Sequence, residues 1–253
     1  MAKTIADAKI TEESFLSSST KLIEVYASEI VRQAEPGQFV NVQVCRNTMP
    51  LLRRPLGIAG ANMEKGTFSM IYRIIGDATK ILAEACKGDT LSIVGPLGKG
   101  FDLSAKKPLL VGGGLGLAPL LFLADKLEGR ADLLMGGRNR EELFWRSLYG
   151  KMCREILITT DDGSEDTKGT VMELLPQMLQ GEYDCVYACG PVPMMKAVAA
   201  ECIKAGIKCQ VSLEKYMACG LGACLSCSFQ GIGKRLKVCT DGPVFLAEEV
   251  MEW

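Results

Sequence analysis

The sequence predicts a multidomain fold: an antiparallel β-barrel over residues 1–102, an α/β domain with a parallel sheet over 103–212, and a small cysteine-rich module over 213–253. Three observations carry this. Period-two alternation and turn dipeptides fill the first hundred residues, and from Lys107 apolar runs alternate with amphipathic helices. After Ser212 both patterns give way to cysteines and glycines. A chain of 253 residues has room for two or three such units.

In the barrel, Val40-Asn41-Val42-Gln43-Val44 alternates apolar and polar, as do Phe68, Met70, Tyr72 and Ile74 against most of their neighbours. Pro36-Gly37, Lys65-Gly66, Lys87-Gly88-Asp89 and Gly95-Pro96 supply turns at barrel-like spacing. ATKILAEAC loses the period of two, which predicts one short helix near Lys80–Ala85. The α/β unit reads as strands at 109–111, 131–135, 155–159, 185–188 and 208–212. Helices are expected between them at 119–127, 141–149, 171–179 and 193–205, an alternation that implies right-handed βαβ units.

Composition excludes several functions. There are no histidines, which removes Ser-His-Asp and Cys-His hydrolases, HExxH metalloproteases and His-ligated zinc or copper sites. An enzyme of this composition therefore relies on a bound cofactor. With 29 Lys+Arg against 30 Asp+Glu, no charge excess points to nucleic acid or an anionic membrane. Pro108–Ala124 is uncharged but shorter than the ~20 residues that span a bilayer, so membrane insertion is not expected. Eleven cysteines in a chain whose first residues lack an apolar signal core suggest a reducing, cytoplasmic setting. In that setting thiols serve as metal ligands or as packing, the latter expected for Cys45, Cys86, Cys153, Cys185, Cys202 and Cys209.

The tail is the most informative segment. Cys219, Cys224, Cys227 and Cys239 are spaced C-x4-C-x2-C-x11-C, the plant-type [2Fe–2S] pattern up to its third cysteine. Gly220 and Gly222 allow the chain to wrap an inorganic core closely and aim amides at it. A zinc knuckle competes, although it usually presents two CxxC pairs and this tail has one. A second feature is Gly112-Gly113-Gly114-Leu115-Gly116 between an apolar strand and a helix with Pro119 in its first turn. Such a turn lets backbone amides meet a pyrophosphate, and it also occurs with no ligand. No acidic residue ends the second strand, which reads Met135-Gly136-Gly137-Arg138, so NAD and NADP are not distinguished. Cys189-Gly190-Pro191 ends another strand at the same sheet edge, as a ligand contact or a plain turn. Arg53-Arg54-Pro55-Leu56-Gly57 with Ile71-Tyr72-Arg73 can hold a flavin and its diphosphate, or the arginines are simply exposed strand residues.

With RPLGI, GGGLGLAP, CGP and the four-cysteine tail in this order, the chain resembles the ferredoxin–NAD(P) reductase superfamily. Within it, residues 16–250 resemble the electron-transfer subunits of NAD-dependent (type B) dihydroorotate dehydrogenase. The most specific pieces are Thr160–Ser164, Lys168-Gly169, Ser212-Leu213-Glu214 with Met217–Cys227, and Val238–Phe245. The resemblance implies an FAD-binding barrel, an NAD-binding domain and a [2Fe–2S] module. It places FAD contacts on Arg54, Pro55, Leu56, Gly57, Ile71, Tyr72, Arg73, Ala78 and Thr79, and cluster ligands on Cys219, Cys224, Cys227 and Cys239. Gly112, Gly113, Gly114, Gly116, Cys189, Gly190 and Pro191 are the expected NAD(H) contacts. Gly57 stands where the family has a serine, and Ala78 where it has a glycine. The implied partner is an FMN-containing catalytic subunit that oxidises dihydroorotate to orotate in pyrimidine biosynthesis, in a heterotetramer of two of each. An iron–sulfur subunit of an NADH-dependent ferredoxin:NADP oxidoreductase is the alternative; its first cluster ligand tends to be a carboxylate, where this chain has Cys219.

Overall fold

The structure is a computed structural model that describes residues 3–45 and 49–250. Its first unit comprises strands Thr4–Ser17 (β1) and Thr20–Tyr26 (β2), one helical turn Ser28–Val31 (α1), strands Phe39–Gln43 (β3), Arg54–Asn62 (β4) and Thr67–Arg73 (β5), helix Asp77–Glu84 (α2) and strand Thr90–Leu97 (β6). The six strands close into a barrel in the order β1-β2-β5-β4-β3-β6. Closure leaves no strand edge unpaired. The alternation is realised in the packing: Val40 and Val42, Phe68, Met70 and Tyr72, and Ile93 face one buried interior. Helix α2 starts three residues before the expected Lys80, because the Thr79 hydroxyl accepts from the Gly76 N–H at 3.1 Å and closes the first turn. Lys21 lies inside the barrel, where its ammonium donates to the Ala83 and Ala85 carbonyls at 2.8 and 2.9 Å and pairs with Glu13. A buried cation thus satisfies the last carbonyls of α2.

The second unit alternates as expected: Pro108–Gly113 (β7), Leu117–Lys126 (α3), Asp132–Gly137 (β8), Trp145–Tyr149 (α4), Glu155–Thr160 (β9), Thr167–Lys168 (β10), Leu175–Met178 (α5), Cys185–Cys189 (β11), Val192–Ala205 (α6) and Lys208–Ser212 (β12). The tail adds a hairpin, Ser228–Gly231 (β13) with Lys234–Lys237 (β14), then Val244–Leu246 (β15) and Ala247–Val250 (α7). Two expected helices are divided. Over 141–149 a 3₁₀ turn, Arg140–Phe144, precedes α4, with Leu143 at φ −95° and ψ 17°. Over 171–179 Pro176 has no N–H to continue a helix from the 3₁₀ turn Val171–Glu173, and α5 begins there instead.

The large sheet runs β10-β9-β8-β7-β11-β12-β15. All its pairs are parallel except β12–β15. The tail therefore finishes the sheet of the preceding unit. One apolar core contains Phe39 and Leu97 from the barrel, Val111 and Val211 from the sheet, and Phe229, Val238 and Phe245 from the tail. Asp102 locks the barrel-to-sheet connection: its carbonyl accepts from Tyr187 Oη at 2.6 Å and Gln210 Nε2 at 3.1 Å, and its carboxylate pairs with Lys208. Among the described residues no helix is long and apolar enough to cross a membrane.

Candidate functional site

In the large sheet β7 lies between β8 and β11, so strand order reverses there, and the crevice beyond the carboxyl ends of these strands is where such sheets receive a nucleotide. The glycine segment after β7 and Cys189-Gly190-Pro191 after β11 meet at this edge, since Gly112 pairs with Cys189. The four glycines have different jobs. A Cβ on Gly112 would stand 2.4 Å from Leu117 Cδ2, and one on Gly113 2.9 Å from Met194 Sδ. On Gly116 it would fall 2.4 Å from the backbone of Cys189 and Gly190. Gly114, at φ +56°, is the one of the four that opens outward, with Arg73 Nη2 at 3.9 Å from its Cβ position. Three of these glycines thus permit close packing and one faces the crevice.

A cleft of about 250 Å³ opens at this edge, walled by both large units. The barrel contributes the Ser17–Thr20 turn and Arg73; the sheet contributes Gly114 and Leu115 and, after β8, Arg138, Asn139, Glu141 and Glu142. Cys189 is not among its walls: the thiol is buried and directed at the Ser212 carbonyl, 3.7 Å away. Burial, followed by the charge of Glu214, pushes its pKa up, so it remains a thiol.

The expected flavin residues gather at one end of the barrel. Ile58 pairs with Met70, so the start of β4 and the end of β5 share that end, from which the chain enters α2. Arg54, Pro55, Leu56 and Gly57 are all half-buried. A Cβ added to Gly57 would meet Pro119 Cβ of α3 at 3.9 Å, an ordinary van der Waals contact, so the position would accept the family's serine without a clash. Ala78 is helical and outside the left-handed region, and its side chain is buried, so it replaces a glycine without backbone strain. The Thr79 hydroxyl is engaged by the Ile75 and Gly76 N–H groups. The first-turn amides of α2 lack intrahelical partners and are donors suited to a phosphate, and Arg54, whose guanidinium donates to the Leu52 carbonyl, lies on the strand at the same end of the barrel. These residues fit FAD. Ile71 faces the sheet's core, in contact with the cluster around Leu117 and Ala118. Tyr72 packs inside the barrel, which leaves its backbone for any cofactor contact, and Arg73 lines the cleft at the sheet's carboxyl edge.

The four tail cysteines come together in two pairs. Cys227 directly precedes β13 and Cys239 follows β14, so the hairpin spans the eleven-residue gap; the Cys239 N–H points at Cys227 Sγ, 3.5 Å away. Cys219 faces Cys224 across a loop with Gly220 at φ +68° and Gly222 at φ +86°. Burial pushes the Cys219 thiol up, but donation from the Leu221 N–H, then from Cys224 and Ala223, outweighs it and brings the pKa to about 6. The Leu221 bond measures 3.3 Å. Burial and the Cys227 thiol hold Cys239 up at about 11. Among the described residues no three Cys, Asp or Glu groups converge to hold a single metal ion. Two thiol pairs around an amide-lined loop fit a two-iron core better than a zinc knuckle.

The remaining cysteines divide. Cys153, Cys185, Cys202 and Cys209 are buried packing residues, whereas Cys45 is half-buried. Cys86 departs from the packing expectation: it is exposed, because it opens the turn to β6 where the Asp89 carboxylate accepts its N–H. Two positions at these candidate sites had no sequence signal. Asn41, 1% exposed and opposite Pro55 in the β3–β4 ladder, donates from Nδ2 to the Cys219 carbonyl at 3.2 Å and ties β3 to the first of the four tail cysteines. Glu142 supplies a carboxylate at the end of β8, four residues beyond the expected place.

Residues 214–251 match the family model of the iron–sulfur cluster binding domain of dihydroorotate dehydrogenase B. The chain is 41% identical over 226 residues to the dihydroorotate dehydrogenase B (NAD(+)) electron transfer subunit of Caldanaerobacter subterraneus subsp. tengcongensis, covering 87% of this chain and 88% of the relative. The subunit of the same name from Desulforamulus reducens is 36% identical over 257 residues, covering 98% of each. Among solved structures, one of the NADH-dependent reduced ferredoxin-NADP oxidoreductase superposes with a TM-score of 0.86 at 29% identity, over 97% of this chain and 90% of that one. A Neisseria gonorrhoeae ferredoxin NADP+ reductase shares the fold at a TM-score of 0.66 and 18% identity, over 80% of this chain and 92% of that one.

Proposed function

Because the chain belongs to the family of electron-transfer subunits of dihydroorotate dehydrogenase B, we propose that it passes electrons between NAD(H) and an FMN-containing catalytic subunit that interconverts dihydroorotate and orotate. The observation that carries this is the joining of three sites in one frame: a cleft at the carboxyl edge of the sheet, the barrel strands β4 and β5 with Arg73 at its border, and a four-thiol loop tied to β3, the neighbour of β4, through Asn41. When bound, FAD supplies two-electron exchange with nicotinamide and a [2Fe–2S] cluster supplies one-electron transfer onward.

The chain's own residues position and polarise. Arg54 and the first-turn amides of α2 would hold the FAD diphosphate, with Thr79 fixing the turn that aims them. Pro55, Leu56 and Gly57 present an apolar strand edge to the ring and keep water from one side. Gly114 admits the dinucleotide to the glycine turn, and Arg73 offers it a cation from the barrel. Cys219, Cys224, Cys227 and Cys239 would ligate the cluster, with Leu221 and Ala223 amides donating to the anionic sulfur. No acid or base is required of the protein at the hydride step, in keeping with a chain without histidine.

Tyr216, Leu221, Cys224 and Leu225 are exposed along one tail segment, an apolar surface that supports docking of the catalytic subunit at the cluster end. A cytoplasmic heterotetramer of two subunits of each kind is the assembly this reading carries. The TM-score of 0.86 favours a ferredoxin:NADP oxidoreductase partner as the second reading. Co-purification with the native partner separates the two. The isolated chain is expected to reduce dyes with NADH and to leave dihydroorotate untouched, and orotate-linked NAD reduction should appear once the FMN subunit is added. Turnover of dihydroorotate by this chain alone would refute the division of labour.

A further inference from the structure

In open α/β sheets, a carboxylate at the end of the second strand accepts from the adenosine ribose 2′-hydroxyl of NAD, and an arginine there accommodates the 2′-phosphate of NADP. Here the second strand, β8, ends Gly136-Gly137-Arg138, which by position alone favours the phosphate. The side chains reverse that reading. The connection winds as a 3₁₀ turn capped by Asn139, and it folds Glu142 back over the strand end. Glu142 Oε2 accepts from the Arg138 N–H at 3.0 Å, and Oε1 accepts from Arg138 Nε at 2.7 Å and from Nη2. Both residues line the cleft that Gly114 opens into.

Glu142 stays ionised. Burial pushes its carboxyl up, but Arg138, and more weakly the charge of Arg73, outweigh that and hold it below the usual carboxylate range. The other guanidiniums of this loop are also matched: Arg140 pairs with Glu165 at 2.7 Å and Arg146 with the same carboxylate at 3.2 Å. A 2′-phosphate arriving here would face a fixed negative charge and an arginine already bound by two nitrogens.

We propose that Glu142 is the specificity-determining residue of the nucleotide cleft: it accepts the ribose 2′-hydroxyl of NAD(H) and, by occupying Arg138, turns away the 2′-phosphate of NADP(H). This rests on the NAD(H)-linked reading above and names the residue that enforces it. The neutral cleft groups nearby, Ser17 to Ser19 and Asn139, can donate to either ribose and do not discriminate.

The test uses the flavin- and cluster-containing chain. NADH- and NADPH-dependent dye reduction are measured for wild type and Glu142→Gln, together with calorimetric binding of ADP-ribose and 2′-phospho-ADP-ribose. The NADH-over-NADPH ratio of kcat/KM should fall at least tenfold in the variant, mainly through KM, and the binding preference should narrow by a similar factor. Glu142→Asp should recover part of the ratio, and Glu142→Ala replaces the amide variant if that one does not fold. A folded variant with an unchanged ratio and unchanged binding preference overturns the assignment to Glu142 alone. A wild-type holoprotein that neither binds ADP-ribose nor oxidises NADH fails the NAD(H) reading itself, so the two failures are distinguishable.

Discussion

Two glycines two residues apart in one loop answer to different physics. Gly114 has φ +56°, where an alanine costs about 1–2 kcal/mol in backbone energy, but its Cβ would point into the open cleft. Gly116 lies at φ −60°, a conformation any residue adopts, yet its Cβ would sit 2.4 Å from backbone atoms of Cys189 and Gly190. Backbone cannot rotate aside as a side chain does, so the turn before α3 and the end of β11 would have to separate. Overpacking of this kind costs about 1–3 kcal/mol or more. Gly116→Ala is therefore expected to lower the thermal midpoint by several degrees and Gly114→Ala to lower it less. For nucleotide affinity the order should invert, because Gly114 faces the cleft; paired melting curves and ADP-ribose titrations check both halves. The sequence shows four glycines and cannot rank them, since the ranking depends on which strand lies opposite. The same limit hid Glu142: its carboxylate reaches the strand end only through a 3₁₀ turn that breaks the expected helix at Leu143.

At the scale of elements, the two edges of the parallel sheet do opposite work. The carboxyl edge is left open for ligands, and the amino edge is clamped. Asp132, 1% exposed at the start of β8, accepts from Arg154 Nε at 2.9 Å just before β9 and from Tyr183 Oη at 2.6 Å just before β11. Burial alone would raise the Asp132 pKa, but the Arg154 and Tyr183 bonds outweigh it and the shift is downward. A carboxyl depressed in the folded state contributes stability above its unfolded value, about 3.9, and loses it as pH falls through the lower folded value. Asp132→Asn should cost about 1.5–3 kcal/mol at pH 7, the range for hydrogen bonds to a charged group. The gap between wild type and variant in urea midpoints should shrink as pH drops below about 4, and a gap independent of pH would refute the clamp. The strands that make this edge were readable from apolar runs. The clamp was not, because Asp132 opens β8 while Arg154 and Tyr183 come from the connections before β9 and β11, which only the sheet order brings together.

Across the whole molecule, the cofactor site and the fold of the tail can be separated by a point change but not by truncation. The sequence shows the cysteine spacing plainly, and the order of three segments with it. It gives no sign that β15 completes the preceding sheet, since three residues carry too little periodicity to reveal a strand. Leu213, Phe229, Leu236, Val238, Phe245 and Val250 are buried in one core with Val111, Val198 and Val211. At about 1.5–3 kcal/mol for each fully buried large side chain, those six contribute roughly 9–18 kcal/mol of gross burial, an upper bound comparable to the 5–15 kcal/mol net stability of a whole domain. Ending the chain after Ser212 would also strip the antiparallel partner β15 from β12, leaving it paired on one side, and expose the faces these residues cover. Such a truncation should accumulate as insoluble protein. Cys224→Ser touches none of that packing, because Cys224 is exposed. It should give a soluble chain of near-wild-type thermal midpoint that retains FAD, loses most of its iron and acid-labile sulfide, and no longer shows a paramagnetic cluster signal on reduction. A soluble, flavin-loaded product from the truncation would mean that the tail is an independent appendage, and the shared core would then carry little of the molecule's stability.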